Sequence, residues 1–458
     1  MIVSVDNSLV VISDPTDSMR SELKKILSFK DKSKDYQLSK MAKNPYLRNS
    51  KAYHQLKSEV NICLLEEQHN EISFPAALLY LTGLIPDIDT RCETGKPISL
   101  PWASQSKAIV LRDYQEVAVD IAIKNCRGII NLATGLGKSK TAIYLLRQLK
   151  RKALIVAPNK SIAIQLYEEL CETFGKSRIG FYGSGKKKLG DITVGIAQTV
   201  TNHVTDFQKA DLGVVILDEG HHAAASTFYT IMSALSGVGR IYGLTATAYR
   251  SDGKDLLLNA ACGPLLIEHD AKWGIENGHL AKPTFIIRKI KTSAPDYDDK
   301  LMAYKSHILS AKEISNQIES DAQKMISAGK STLVLVDSIE HGKALSKALG
   351  VPFAQGEDKN SEQYIKDLNS GKIKGLVGTE NKISEGSDTR TVDCLIMGQF
   401  TASKGPVLQA VGRGLRKQGN KTSCFILDYW PTSSRILGRH ASRRVEYYLE
   451  ITDQVKII

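Results

Sequence analysis

From residue 108 onward the chain alternates short, apolar, β-branched runs with longer amphipathic stretches, and that alternation leaves few folds open. The runs RGIINL, KALIVAP, DITVGIA, LGVVILDE and RIYGLTAT come first, and KPTFIIRKI, STLVLVDS, KGLVGTE, DCLIMGQF and SCFILDYW follow. Strands that are apolar throughout are those covered on both faces, and the helical patterns between them, such as HGKALSKAL, supply the crossovers that parallel strands need. The expected fold is α/β, with two largely parallel-sheet domains in tandem. Gly and Pro in WGIENGHLAKP interrupt the pattern and place the join near residues 278–283.

Residues 1–95 read differently. A basic polar stretch, RSELKKILSFKDKSKDYQLSKMAKNPYLRNSK, precedes a mixed segment ending in TGLIPDID, which suggests a small separate N-terminal α+β domain. The expected division is 1–95, 96–280 and 281–458. A length of 458 residues with 42% hydrophobic content fits two or three globular domains. No apolar run reaches the roughly 18 residues of a membrane span. The start MIVSVDNSLVVISD is broken by Asp6 and has neither a basic head nor a small-residue cleavage site, so a soluble, cytoplasmic protein is expected. Seven cysteines without a CxxC pair favour reduced core thiols over zinc or disulfides. A net charge of +12 points to a polyanionic partner, nucleic acid ahead of a membrane surface.

The stretch GIINLATGLGKSKTAIYLL sets a buried strand, a tight loop and a helix in succession. Phosphate binding uses that order, because backbone N–H groups of the loop and helix start converge on anionic oxygens. Thr134, Gly135, Leu136, Gly137, Lys138 and Ser139 form the candidate cradle. Lys138 is placed to reach β- and γ-phosphates, and the Ser139 hydroxyl to complete the coordination of Mg²⁺, so ATP and Mg²⁺ are the expected cofactors. Leu132 stands where such loops usually begin with Gly or Ala. In VVILDEGHH an apolar strand runs into Asp218, a second candidate Mg²⁺ ligand, and Glu219, a candidate for orienting or deprotonating the attacking water. Upstream, LRDYQ offers Arg112 and Gln115; a Gln amide pairs with an adenine edge, or is simply an exposed residue at a helix start. In QAVGRGLRKQG, Arg413 and Arg416 lie three apart and so share one helical face, suited to stabilising transition-state charge or to lining a basic helix.

LRDYQ, ATGLGKS, LIVAPNKSIAIQ, GIAQTV, LDEGH, LTATAYRSDG, VGTENKISEGSD and QAVGRGLR, in that order, resemble the motifs of superfamily 2 helicases and translocases over residues 108–430. The resemblance implies two RecA-like domains with ATP in the cleft and nucleic acid across the top. It further implies nucleic-acid contacts at Pro158, Asn159, Lys160, Gln198, Thr199 and Thr379, coupling through Thr245 and Thr247, and nucleotide contacts at Gly386 and Asp388. Each of these residues also has an ordinary reading as a strand-end turn or cap. GLTATAYRSDG, ENGHLAKP and GRHASRRVEYY look most similar to phage branch-migration helicases of the UvsW type, and more loosely to the XPB and RecG groups. Ala248 departs from the usual Pro, and DEGH is not the DEAD signature of RNA unwinders.

The expected activity is an ATP-dependent DNA helicase or translocase acting as a monomer on forks and four-way junctions, with replication or recombination proteins as further partners. If the chain comes from a phage, its compartment is the host cytoplasm. An RNA helicase, a restriction-type translocase motor and a non-hydrolysing ATP-switched clamp are the alternatives. Arg435, Arg439, Arg443 and Arg444 in the late basic stretch suit phosphate contact and equally a solvated helix.

Overall fold

The computed structural model describes residues 2–5, 9–48, 50–68, 70–82, 94–103, 109–218, 225–246, 255–356, 358–384, 391–417, 419 and 421–458. Two compact units emerge, residues 1–132 with 138–268, and residues 133–137 with 269–458.

Among the described residues, the main sheet of the first unit has eight strands: β1 (Arg127–Leu132), β2 (Ala153–Ala157), β3 (Ile179–Gly183), β4 (Lys186–Lys188), β5 (Ile192–Ile196), β6 (Val214–Asp218), β7 (Arg240–Thr245) and β8 (Leu265–His269). Their order is β4-β3-β5-β2-β6-β7-β1-β8. From β3 to β1 every pairing is parallel, while β4 folds back on β3 as an antiparallel edge. All five residues of β2 are buried, as a strand covered on both faces requires. Leu154, Val156, Val215, Leu217 and Ile241 join the helices in one apolar core.

The amino-terminal residues belong to the same unit. Ile2–Val5, Leu9–Ser13, Glu71–Pro75 and Glu66–Gln68 form an antiparallel sheet in that order. Its core of Val10, Ile12, Phe74 and Leu78 also takes in Leu257 and Ala260 from the helix Asp255–Cys262, so the small sheet and the large one share a boundary layer. From the short pair Ser28–Lys30 and Asn61–Cys63 projects a set of three helices, Lys32–Ala42, Pro45–Arg48 and Lys51–Glu59. The two longer helices bury none of their residues.

Among the described residues the second unit holds seven strands: β9 (Lys282–Ile290), β10 (Thr332–Val336), β11 (Phe353–Ala354), β12 (Gly375–Thr379), β13 (Cys394–Gly398), β14 (Ser423–Pro431) and β15 (Val455–Ile457). All are parallel, in the order β11-β12-β10-β13-β14-β9-β15. Two RecA-like parallel sheets, each with its own core, thus carry the chain. Among the described residues no helix is long and apolar enough to cross a membrane. Cys63, Cys171, Cys262, Cys394 and Cys424 are free thiols, whereas Cys126 is disulfide-bonded, against the expectation of reduced thiols throughout.

The late basic stretch is largely structural. It forms the helix Arg435–Ile451, and Arg444 on it is fully buried. Arg444 Nε and Nη2 donate to the two Asp428 carboxylate oxygens at 2.7 and 2.8 Å, and Tyr448 Oη donates to Asp428 Oδ2 at 2.7 Å. Further Arg444 donors reach the Thr401 and Tyr429 carbonyls, both at 3.1 Å. Arg435 pairs with Asp296 and Asp298. Of the four arginines, Arg439 and Arg443 remain on the exposed surface without an ion pair among the described residues. Arg444→Met leaves Asp428 a buried charge without its partner, and the expected loss is about 3–5 kcal/mol of stability. Urea unfolding measures it, and nucleic-acid affinity at temperatures where the variant stays folded should be unchanged.

Candidate nucleotide and nucleic-acid site

The loop between β1 and the helix α1 (Lys138–Leu149) is built for close approach of an anion. Gly135 and Gly137 take φ of +94° and +82°, backbone that L side chains rarely adopt, and Leu136 N donates to Ala133 O at 3.0 Å to close the turn. Such alternation of backbone hand turns successive N–H groups into one concavity. Leu132 is fully buried in the core, which accounts for a large residue where a small one is usual. Lys138 and Ser139 open α1 and stay partly accessible. Within the second unit, loop residues 133–137 lie against the helix that carries Arg413. A Cβ on Gly412 would fall 2.5 Å from the Thr134 Cβ, and one on Gly135 would fall 3.3 Å from the Arg416 Cγ.

Asp218 is the last residue of β6, and Thr245, 1% exposed, is the last of β7. The order β6-β7-β1, with Asp218 opposite Leu244 and Thr245 opposite Asn131, sets both beside the end of the strand that feeds the loop. Glu219 and Thr247 lie outside the described residues, as do Gly386 and Asp388. Asn131, not singled out from the sequence, is buried on β1 and donates to Glu268 Oε1 at 2.7 Å, tying β1 to β8.

Several candidate side chains are committed to local structure. Gln115 is 3% exposed, and its Oε1 accepts from Arg112 N at 2.9 Å, closing the amino end of the helix Asp113–Asn125. An adenine amino group would have to share that oxygen. Arg112 itself donates to Tyr114 Oη at 3.1 Å. Asn159 caps the helix Lys160–Phe174, accepting from Ile162 N at 3.0 Å, between half-buried Pro158 and exposed Lys160. Gln198 and Thr199 sit on the short helix Ala197–Asn202 after β5, with Gln198 exposed and bonded to Asn202 Oδ1. β5 and β2 are neighbours, so Pro158–Lys160 and Gln198–Thr199 emerge side by side at one edge of the first sheet. Thr379 ends β12 in the second.

The two arginines do not share a helical face. Their helix, Lys404–Leu415, ends before Arg416, which turns to extended backbone with ψ of 130°. Arg413, in the last turn, is 7% exposed, and Arg416 is half-buried. Sequence reading also passed over two carboxylates, Asp337 and Glu380. They directly follow β10 and β12, as Asp218 closes β6, so the same strand-then-carboxylate pattern was present in VLVDS and VGTE. Burial first, then the neighbouring Asp337, pushes the Glu380 carboxyl up to about 7, while Arg413 pulls it down.

Residues 108–250 match the family described as type III restriction enzyme, res subunit. The chain is 25% identical over 382 residues to the ATP-dependent DNA helicase uvsW of Enterobacteria phage T4, covering 76% of this chain and 75% of that protein. It is 32% identical over 206 residues to the DNA 3'-5' translocase XPB2 of Sulfurisphaera tokodaii, covering 44% and 45% of the two. It spans only 52–59% of the length of relatives from Saccharomyces cerevisiae, Schizosaccharomyces pombe and Halobacterium salinarum. Among solved structures, RNA-bound Dbp5 of S. cerevisiae matches at a TM-score of 0.53 and 14% identity, over 76% of this chain and 89% of that one. The DNA-bound type ISP restriction-modification enzyme LlaBIII matches at 0.55 and 16%, over 77% and 31%. These two likenesses concern the fold. Residues 108–250 thus match the res-subunit family model, and the chain as a whole is similar to proteins named as an ATP-dependent DNA helicase and a DNA translocase.

Proposed function

We propose that the protein is an ATP-dependent DNA helicase or translocase that remodels branched DNA such as forks and four-way junctions. One observation carries the reading: the glycine loop leading into Lys138, the Asp218 carboxylate and Thr245 follow neighbouring parallel strands at a common edge. Superfamily relatives named as DNA helicase and DNA translocase favour DNA as the track.

The loop N–H groups and Lys138 bind the β- and γ-phosphates of ATP. Ser139 and Asp218 supply a hydroxyl and a carboxylate, hard oxygen donors suited to Mg²⁺, which when bound neutralises phosphate charge. Glu219 orients the attacking water, and Arg413 and Arg416 balance charge that develops in the transition state. Arg112 and Gln115 address the base, with Gly386 and Asp388 toward the ribose and phosphates. Pro158–Lys160, Gln198, Thr199 and Thr379 grip the strand through its phosphates, which position without reading sequence. Thr245 and Thr247 couple the two ligands. Residues 96–280 and 281–458 act as the two motor domains, and residues 1–95 select the substrate.

The selection surface is the helical set at 32–59. Lys24, Lys30 and Lys34 are spent on Glu67, Asp35 and Glu59. Lys25, Lys32, Lys40 and Lys43 form no ion pair among the described residues, and Tyr36 and Tyr46 stand 61% and 92% exposed beside them. Cations interleaved with accessible rings suit phosphate contact and base stacking.

Lys138→Ala should cut ATP turnover at least about a hundredfold and leave DNA affinity within a few-fold, since this lysine serves ATP phosphates. Glu219→Gln should bind ATP and fail to turn it over. Steady-state phosphate release and fluorescence anisotropy with labelled forks check both. Arg413→Ala should lower kcat by about a hundredfold or more with little change in KM. An unchanged kcat with lost DNA affinity would make it a tracking residue. ATPase stimulation by single strands, duplex, forks, four-way junctions and RNA decides the substrate, and RNA as best activator would replace the DNA reading.

Lys32→Ala with Lys40→Ala and Lys43→Ala should reduce the preference for forked over linear DNA and flatten its salt dependence, with ATPase on simple duplex retained. Point changes are the better test than removing residues 1–95, because that cut would bare Leu257 and Ala260.

A further inference from the structure

Leu136 lies between Gly135 and Gly137, in a loop whose N–H groups turn toward an anion, and yet it is fully buried. Within the second unit its side chain enters a socket formed by the short helix Ala271–Glu276 and the turn after it. A Cβ on Gly274, itself buried, would fall 3.0 Å from Leu136 Cδ2 and 2.8 Å from Leu280 Cδ1. Leu280, 2% exposed, also bears on the loop one residue earlier, since a Cβ on Gly135 would fall 2.9 Å from Leu280 Cδ2. Two adjacent loop residues therefore stand against Gly274 and Leu280.

The socket is braced on several sides. Gly278 takes φ of +72°, and His279 N and Leu280 N both donate to Gly274 O, at 2.8 and 2.9 Å, which brings Leu280 back over the glycine. The Trp273 ring stacks on His269 and His279, with centroids 3.7 and 5.4 Å away, and so ties the helix to the segments before and after it. His269 O accepts from Ala133 N, the first loop residue, at 2.9 Å. Ala281 N donates at 2.8 Å to the carbonyl of Leu415, the last residue of the Arg413 helix. Gly274 does not take positive φ, so its backbone does not call for glycine, and a glycine inside a helix weakens it relative to alanine. A side chain there has no room while Leu136 is seated, which is a physical reason for glycine at this position.

We propose that Gly274 and Leu280 are positioning residues for the phosphate loop, a socket that holds Leu136 and so fixes the peptides on both sides of it with their N–H groups toward the phosphates of ATP. Glycines on either side leave the loop backbone free to take other conformations, and the buried leucine is the anchor that limits them. Fixing the loop before the nucleotide arrives removes an ordering cost from binding. Neither socket residue has a polar side chain to offer a ligand, so its effect on ATP passes through Leu136. The inference rests on the ATP reading of this loop given above.

The test uses the full chain with Mg²⁺ and a fluorescent ATP analogue, and compares Leu136→Ala, Gly274→Ala and the double variant. Each single change should weaken analogue binding about tenfold, the first by emptying the socket and the second by overfilling it. The double variant should bind no more weakly than either single one, because Leu280 and the new methyl refill the space that Leu136 leaves, whereas independent effects would multiply to about a hundredfold. A purely structural role lowers the melting temperature and leaves analogue affinity at the wild-type level; that result, or a multiplied loss in the double variant, overturns the proposal. Should Gly274→Ala not fold, Leu280→Val, which shortens the socket wall, is expected to weaken binding about threefold, and full affinity in it overturns the proposal. A readout without nucleotide is amide hydrogen exchange of residues 133–137, which should quicken at least about tenfold in Gly274→Ala, or in Leu280→Val, while β1 exchanges as in wild type. Unchanged loop exchange overturns the socket. Quickened loop exchange in a protein whose wild type binds no ATP analogue supports the socket and sinks the functional reading instead.

Discussion

Parallel pairing is the constraint from which the rest follows. Strands running the same way cannot be joined by tight turns, so every connection crosses a face of the sheet and every strand leaves at the same edge. The faces must then be apolar, which is why β2 and β10 are buried from end to end. Polar and charged side chains are driven to the edge where the strands stop. Asp218, Thr245, Asp337, Thr379 and Glu380 all stand there, at or one residue past a strand end. In each sheet, taken by itself, such side chains collect at the rim where its parallel strands end.

That logic sets how much the sequence disclosed. The apolar runs, the loop into Lys138 and the carboxylate after VVIL were readable because strand, turn and helix each leave a periodic or compositional mark. Arg416 was misjudged because spacing defines a face only while a helix persists, and this helix stops at Leu415. Asn159 and Gln115 bind their own backbone, and because the same letters serve capping and ligand contact alike, the sequence left both uses open. The layer shared by Phe74 and Leu257 joins residues far apart in the chain, beyond the reach of any local pattern.

Charge was the least legible property. A net +12 describes the sum, and the structure shows how unevenly the terms are spent. Arg444 lies at the centre of a dry network with Asp428 and Tyr448, where removing water makes geometry decisive and a single lost partner expensive. A neighbour one position away, Arg443, faces solvent. Helical rotation between adjacent residues turns one into scaffold and the other into surface, and nothing in the run RHASRR separates them beforehand.

The helices at 32–59 hang from a stem of three paired residues a side, Ser28 opposite Cys63 and Lys30 opposite Asn61. Their entry and exit are thus neighbours, and the longer two contribute nothing to either core. A segment joined in this way can lengthen, shorten or be exchanged at small entropic cost, because the chain on both sides already meets. Selection acting on what these helices touch therefore need not negotiate with the sheets that hold the phosphate loop. The molecule is modular at the level of a single insertion, and the boundary of that module is a hairpin stem.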